Sequence, residues 1–357
     1  MNIGIPKEWN DPRVALTPPT IKKIKELGVE VLVEKDAGIA SSFSDADFAE
    51  VAKVVDRKDV LAAEVIISIN PLPVADMKNL APDTLVISQF KPFFDDTIIT
   101  QLKNMKLRAF SLDMIPRTTL AQSMDVLSSM ASVAGYKAVL VAANHLPRYF
   151  PMMITAAGSI RPAKVLILGA GVAGLQAIAT ARRLGAQVEA SDTRLAAKEE
   201  VESLGAKFVM VEGAADDSGA GGYAVQQSED FLRRQREEVQ NRAAKADVII
   251  TTAQVRGRKA PILLPKDTLD KMQPGSVVVD LAASTGGNCE MTKDREIVKY
   301  NGITIVGDSD LAATMPQDAS TLFANNLVNF LKLFIKEGQL SLNMEDEIIK
   351  GAYITGE

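Results

Sequence analysis

The 357-residue chain has one cysteine, Cys289, and one histidine, His145. A lone thiol cannot close an internal disulfide, and one thiol with one imidazole cannot assemble a zinc site, so a reducing compartment and no metal are expected. Positive charge is also short. The 40 Lys and Arg stand against 45 Asp and Glu, a formal net charge of −5, which repels a phosphate backbone and argues against a nucleic-acid partner. Long apolar runs are scarce. The most apolar stretch, Met130 to Leu146, is interrupted by Ser132, Gly135, Lys137 and Asn144, so it is expected to fall short of the ~20 residues of a membrane span and the chain to be soluble. Met1 to Glu8 has neither the apolar core of a secretory signal nor the Arg-rich, acid-poor character of a transit peptide. No nucleophile elbow, Walker lysine motif or His/Cys metal cluster is present. Any redox chemistry therefore belongs to a bound cofactor.

What is present is α/β grammar. The length favours two domains, and 47% hydrophobic with 24% charged residues is ordinary for a folded chain. Short β-branched runs alternate with helical patterns from Asn2 to Ile5 through Val29 to Glu34, Val65 to Ile69 and Leu85 to Ser88, with Arg108 to Phe110 a further candidate. A second series runs through Lys164 to Leu168, Gln187 to Ala190, Lys207 to Val211, Val248 to Thr251, Ser276 to Asp280 and Ile303 to Val306. A long helix of small and apolar residues, Ala121 to Leu146, separates them. The apolar stripe Leu322, Phe323, Leu327, Phe330, Leu331, Phe334 and Ile335 predicts a helix packing back on the first series. The expected fold is α/β with two Rossmann-like doubly wound domains, the first discontinuous and closed by the C-terminal helix. The expected limits are 1–126 with 321–357, and 127–320.

Gly169-Ala170-Gly171-Val172-Ala173-Gly174 follows the apolar run Lys164 to Leu168 and opens a predicted helix to Leu184. A lone G-x-G-x-x-G is a weak signal, but strand, turn, helix and a second strand ending at Asp192 make a dinucleotide fingerprint. Gly169 permits the tight turn, Gly171 admits the pyrophosphate to backbone N–H groups at the helix start, and Gly174 lets helix and strand approach. Asp192, followed by Thr193, stands where a carboxylate accepts from both ribose hydroxyls and repels a 2′-phosphate, which predicts NAD(H) over NADP(H). Arg194 is the complication, since it could pair with a 2′-phosphate.

Two further segments stand out. Arg117 to Ser129 packs polar groups into a loop-to-helix junction, with Thr118 or Thr119 as the expected cap and Gln122 and Asp125 about one turn apart. Capping and solvation alone explain these residues about as well as a nicotinamide contact does. Residues 212–240 hold the glycine-rich stretch Ala214 to Tyr223, read either as a mobile loop or as a variable surface insertion, followed by a charged helix, Glu229 to Lys245.

With Ile5-Pro6-Lys7-Glu8, Arg13 to Pro18, the glycine motif, Val279 to Ala282 with Gly286-Gly287-Asn288, and Phe323 to Leu327 in hand, the chain resembles the family joining alanine dehydrogenases to the NAD(H)-binding domain of proton-translocating transhydrogenases. Arg117 to Ser129, Pro151 to Gly158 and Gly221-Gly222-Tyr223-Ala224 resemble the transhydrogenase branch in particular. That resemblance implies that Arg117, Gln122, Asp125 and Ser128 surround the nicotinamide and that the Tyr223 loop closes over bound nucleotide. It also implies that Gly222, Gln235 and Gln254 line the cofactor, with Gln254 replacing a usually apolar residue; Val172 and Ala173 belong to the glycine motif itself. Hydride would pass directly from NADH to NADP+ on a separate NADP(H)-binding domain, coupled to proton movement through a membrane-spanning subunit. The chain would then be a homodimer on the cytoplasmic side, peripheral to the inner membrane through its partners, and either a separate subunit or the soluble part of a longer one.

The rival reading is an alanine dehydrogenase-like amino-acid dehydrogenase, which needs a lysine and a histidine in the N-terminal half. Asn70 and Phe90 stand about where those are expected. Without such partners Arg13 is expected to be a structural ion-pair former, and His145 a surface or capping residue. A third reading, a non-catalytic NAD-binding regulator, would use the same glycine motif without the polar cluster.

Overall fold

Six parallel strands, β1 (Asn2–Ile5), β2 (Glu30–Glu34), β3 (Lys53–Val55), β4 (Val65–Ile67), β5 (Leu85–Ser88) and β6 (Arg108–Ser111), form one sheet in the order β3-β2-β1-β4-β5-β6. The computed structural model describes residues 1–212, 228–255 and 257–356, and the chain divides into two units, Met1–Met130 with Ala312–Glu357, and Ala131–Leu311. The order reverses at β1, the doubly wound pattern, and helices from both flanks bury the strands' apolar runs. Ile3 and Ile5 of β1 pack with Phe323, Leu327, Phe330 and Phe334 of the C-terminal segment, whose helix spans Pro316–Leu331. Phe110 stacks on Phe334 at 5.0 Å between ring centroids and meets Phe330 edge-on at 5.3 Å. The discontinuous first unit closed by a C-terminal helix is thus built on an aromatic cluster. Leu322 alone of the predicted stripe is substantially exposed, at 38%.

In the second unit, the end of the helix Val126–His145 is followed by a two-stranded hairpin, β7 (Met153–Thr155) and β8 (Gly158–Ile160). Its main sheet contains β9 (Lys164–Leu168), β10 (Gln187–Ser191), β11 (Lys207–Phe208), β12 (Val248–Thr251), β13 (Val277–Asp280), β14 (Glu296–Tyr300) and β15 (Ile303–Gly307), in the order β11-β10-β9-β12-β13-β15-β14. All neighbours are parallel except the edge pair β14–β15. Several strands escape the sequence pattern or depart from it, the hairpin β7–β8 among them. β3 and β14 carry charge within their runs, and β11 stops at Phe208 rather than Val211 because the Val211 amide is taken by the Gln235 side chain at 2.9 Å.

The helix Val126–His145 spans the residues where the two units divide. Its 20 residues are long and apolar enough, by length and composition, to cross a bilayer, which corrects the expectation for 130–146. The apolar run begins with Val126 and Leu127, a turn earlier than the interrupted stretch suggests. Val126 is buried in the first unit's core and Ala138, Val139 and Ala142 in the second's, so small residues on this helix serve close packing.

Candidate nucleotide-binding site

The glycine turn sits at the carboxyl end of β9, next to the point where the second sheet's order reverses, the place where open α/β sheets bind ligands. Gly169 has φ +103°, a region that favours glycine, and a Cβ there would come within 2.5 Å of the Thr252 hydroxyl. That hydroxyl donates to the Gly169 carbonyl at 3.0 Å, so the turn is tied across to the end of β12. At Gly174 a Cβ would collide with the Gly169 carbonyl oxygen, which is the close approach of helix and strand the sequence called for. At Gly171 a Cβ would meet nothing within 4 Å. The helix Val172–Arg183 starts there without a side-chain cap, leaving its first N–H groups as donors and the dipole's positive end facing open space. A pyrophosphate fits this cradle, and a side chain at 171 would fill it.

Asp192 follows β10 directly. Its Oδ2 accepts from the Ala170 amide at 2.7 Å and its Oδ1 from the Arg194 amide at 2.9 Å. Burial raises the Asp192 carboxyl, but the hydrogen bonds from Arg194 and Ala170 outweigh it and hold the group below the usual carboxylate range. The Arg194 guanidinium therefore lies on Asp192, with Nε at 3.0 Å from Oδ1, and on the Ala170 carbonyl at 3.2 Å. Thr193 between them is exposed. Gln235, on the helix Glu229–Ala243, donates to the Ser191 hydroxyl at 3.2 Å and the Val209 carbonyl at 2.8 Å, which places it at the carboxyl ends of β10 and β11 beside Asp192. Gln254 is exposed just past β12 and donates to the Leu281 carbonyl at 2.9 Å. Gly222 and Tyr223 lie outside the described residues.

The polar cluster of the first unit is a compact structure of its own. A 3-10 turn, Gln122–Met124, precedes the long helix. Asp125, not Thr118 or Thr119, caps that helix: its Oδ1 accepts from the Ser128 amide at 2.9 Å, and the Ser128 hydroxyl donates back to Oδ2 at 2.6 Å. The backbone turns through the 3-10 segment after Thr119, so the helix starts at Val126 and the residue before it must cap. Arg117 Nε lies 3.8 Å from Asp125 Oδ2, joining Arg117, Asp125 and Ser128 in one group. Gln122 is exposed beside them. Asn326 and Asn329 both donate to the Ser123 carbonyl, at 2.8 and 3.1 Å, so the C-terminal helix fixes the turn.

Sequence reasoning missed the roles of Thr252 and Asn288. Asn288 donates to the carbonyls of Ala253 and Pro261 and accepts from the Ala253 amide, and so shapes the loop that carries Gln254. Asp280 in turn accepts from the amides of Asn288 and Cys289 and from the Thr292 hydroxyl. The signal for Thr252 is its place at the carboxyl end of a strand next to the glycine turn.

The family description "Alanine dehydrogenase/PNT, N-terminal domain" matches residues 4–134, and "Alanine dehydrogenase/PNT, C-terminal domain" matches residues 138–357. The chain belongs to the alanine dehydrogenase/PNT family. Within the family it is 40% identical over 360 residues to the NAD(P) transhydrogenase subunit alpha of Haemophilus influenzae, covering 99% of this chain and 70% of that one. The crystal structure of a transhydrogenase from Sinorhizobium meliloti superposes with a TM-score of 0.91 at 42% identity, covering 99% and 98% of the two chains. An alanine dehydrogenase of Staphylococcus epidermidis is 26% identical over 351 residues, covering 95% and 88%. The family read from the motifs is the family these matches show, and the transhydrogenase branch is the nearer of the two.

Proposed function

We propose that this chain is the NAD(H)-binding component of a proton-translocating transhydrogenase, an oxidoreductase that passes hydride directly between NADH and NADP+ held by a partner domain. The observation that carries the reading is the Asp192 carboxylate on the Ala170 amide beside an uncapped helix start at Gly171. Gly169, Gly171 and Gly174 would receive the pyrophosphate, with Val172 and Ala173 supplying N–H groups. Asp192 would take the ribose, and Gln235 and Gln254 would flank the nucleotide. Bound nicotinamide supplies the hydride; this chain's residues orient it. Gln122, Asp125, Arg117 and Ser128 would fix the carboxamide and ribose of the reactive half. Direct transfer needs reacting atoms about 3 to 3.5 Å apart, so the partner domain must cover an exposed edge of the site.

Coupling to proton translocation requires a membrane-spanning subunit, which would hold this chain at the cytoplasmic side of an inner membrane. We also propose a homodimer. Its support is the hairpin β7–β8, which leaves Ile154 75% exposed and Met152 beside it 60% exposed, an apolar patch that a second copy would cover.

Titration of intrinsic fluorescence with NADH and NADPH, followed by stopped-flow hydride transfer with an NADP(H)-binding partner domain, tests the reading. Tight NADH binding with transfer only when the partner is present is expected. Equal affinity for the two nucleotides, or no transfer, overturns it.

A further inference from the structure

The second sheet has a groove at the end opposite the glycine turn. It occupies about 870 Å³ around the amino ends of β9 and β10 and the short edge strand β11, and its walls include the last turns of the helices Val172–Arg183 and Glu229–Ala243. The groove opens where β11 begins, at Lys207, two residues along from the start of β10. β11 pairs with Glu189 and Ala190, so Gln187 and Val188, which also line the groove, have no β11 residue opposite them.

Lys164, Arg182, Lys207, Arg242 and Lys245 line this concavity, against two carboxylates, Glu189 and Glu238. Arg242 takes both, with Nη1 2.7 Å from Glu189 and Nε 2.7 Å from Glu238. Among the described residues the three lysines and Arg182 have no carboxylate within ion-pair range. In a chain of net charge −5, four unmatched cations around one hollow concentrate positive potential where a concave wall focuses it. A solvated lysine face normally spreads its charges over a convex surface with acidic neighbours between them. This one does the reverse.

We propose that the groove binds a small anion carrying several phosphate groups, at a second site separate from the dinucleotide turn at the other end of the same strands. The lysine ammonium groups act as adaptable point charges and Arg182 offers a planar fork to a phosphate oxygen pair. The groove is open to solvent, and its volume of about 870 Å³ falls within the range of small-molecule sites.

Isothermal titration of the intact protein with inorganic tripolyphosphate, with and without saturating NADH, tests the proposal. A single site that persists when NADH is bound is expected, weakening steeply as salt rises. Lys164→Gln/Lys207→Gln/Lys245→Gln should lower tripolyphosphate affinity more than tenfold and leave NADH affinity unchanged; circular dichroism checks that the variant folds. No binding by the unmodified protein, competition by NADH, or unchanged affinity in the triple variant overturns the groove assignment. Failure of the nucleotide reading would appear separately, as absent NADH binding.

Discussion

Arg194 is held on the Asp192 carboxylate, Nε to Oδ1 at 3.0 Å, while Oδ2 of the same carboxylate takes the Ala170 amide at 2.7 Å. An arginine spent on the acid it neighbours is not offered to a 2′-phosphate, so the pair favours a free ribose. Asp192→Ala removes the ribose acceptor and the carboxylate that repels a 2′-phosphate, while Arg194 keeps its bond to the Ala170 carbonyl. We expect NADH binding to weaken tenfold or more, on the order of 1.5 to 3 kcal/mol for a charged hydrogen bond, while NADPH binding improves relative to NADH. Fluorescence titration with both nucleotides measures this, and an unchanged NADH-to-NADPH ratio would contradict it.

The reciprocal bonds of Asp125 and Ser128 separate two roles that the sequence left merged. Asp125→Ala should cost about 1 kcal/mol of stability through loss of the helix cap, visible in denaturant unfolding. Gln122 has no such duty, since it is exposed and its side chain caps nothing. Gln122→Asn should leave stability and NADH affinity nearly unchanged yet slow hydride transfer about a hundredfold, the effect of a misplacement near 1 Å. Transfer at the unmodified rate would make the cluster a helix cap only.

The fold was legible where periodicity and burial agree. Val165 to Leu168 and Val248 to Ile250 are uninterrupted apolar runs in the middle of a parallel sheet, and the strands that hold them, Lys164–Leu168 and Val248–Thr251, emerged at the predicted residues. β14, with Glu296 and Lys299 in its five residues, is an antiparallel edge strand whose exposed face hides its period. The glycine turn could be read because its backbone demands are local. The Asp125 cap, the Thr252 tie and the Asn288 loop clamp could not, because each depends on which carbonyl or amide a distant segment brings alongside.

Glu8 offers a pH test within the first unit. Its carboxylate accepts from the amides of Ile69 at 2.5 Å and Asn70 at 3.1 Å, but burial, aided by the nearby Asp11, pushes its pKa up from 4.5 to about 7. The folded state therefore holds a proton that the unfolded chain releases. The stability this gives is fully present below the unfolded value and is lost as pH rises through about 7. The difference amounts to about 3 kcal/mol at most. Unfolding midpoints at acidic and mildly alkaline pH should diverge in the unmodified protein and converge in Glu8→Gln. Parallel pH slopes for the two proteins would show that Glu8 does not titrate in this range.

An alanine dehydrogenase mechanism requires a free cation for the substrate carboxylate and an acid/base for the amine. Arg13 is 8% exposed and bound to Asp11 through Nη2 at 2.5 Å and Nε at 2.9 Å. Burial raises the Asp11 carboxyl, but the Arg13 guanidinium outweighs it and keeps the group ionised. Asn70 stands where the lysine is needed, and its amide nitrogen donates to that same Asp11 at 2.8 Å. Phe90 stands where the histidine is needed and is buried with Leu72, Met77 and Leu102. Each of these positions is thus apolar or already paired. We expect the purified chain to show no alanine-dependent reduction of NAD+ and no oxidation of NADH by pyruvate with ammonia, followed at the NADH absorbance. Asn70→Lys alone should not restore turnover, because the new ammonium would face Asp11 and join its ion pair with Arg13. Saturable alanine turnover by the unmodified protein would mean that Arg13 leaves Asp11 on substrate binding, and would return the chain to the dehydrogenase branch.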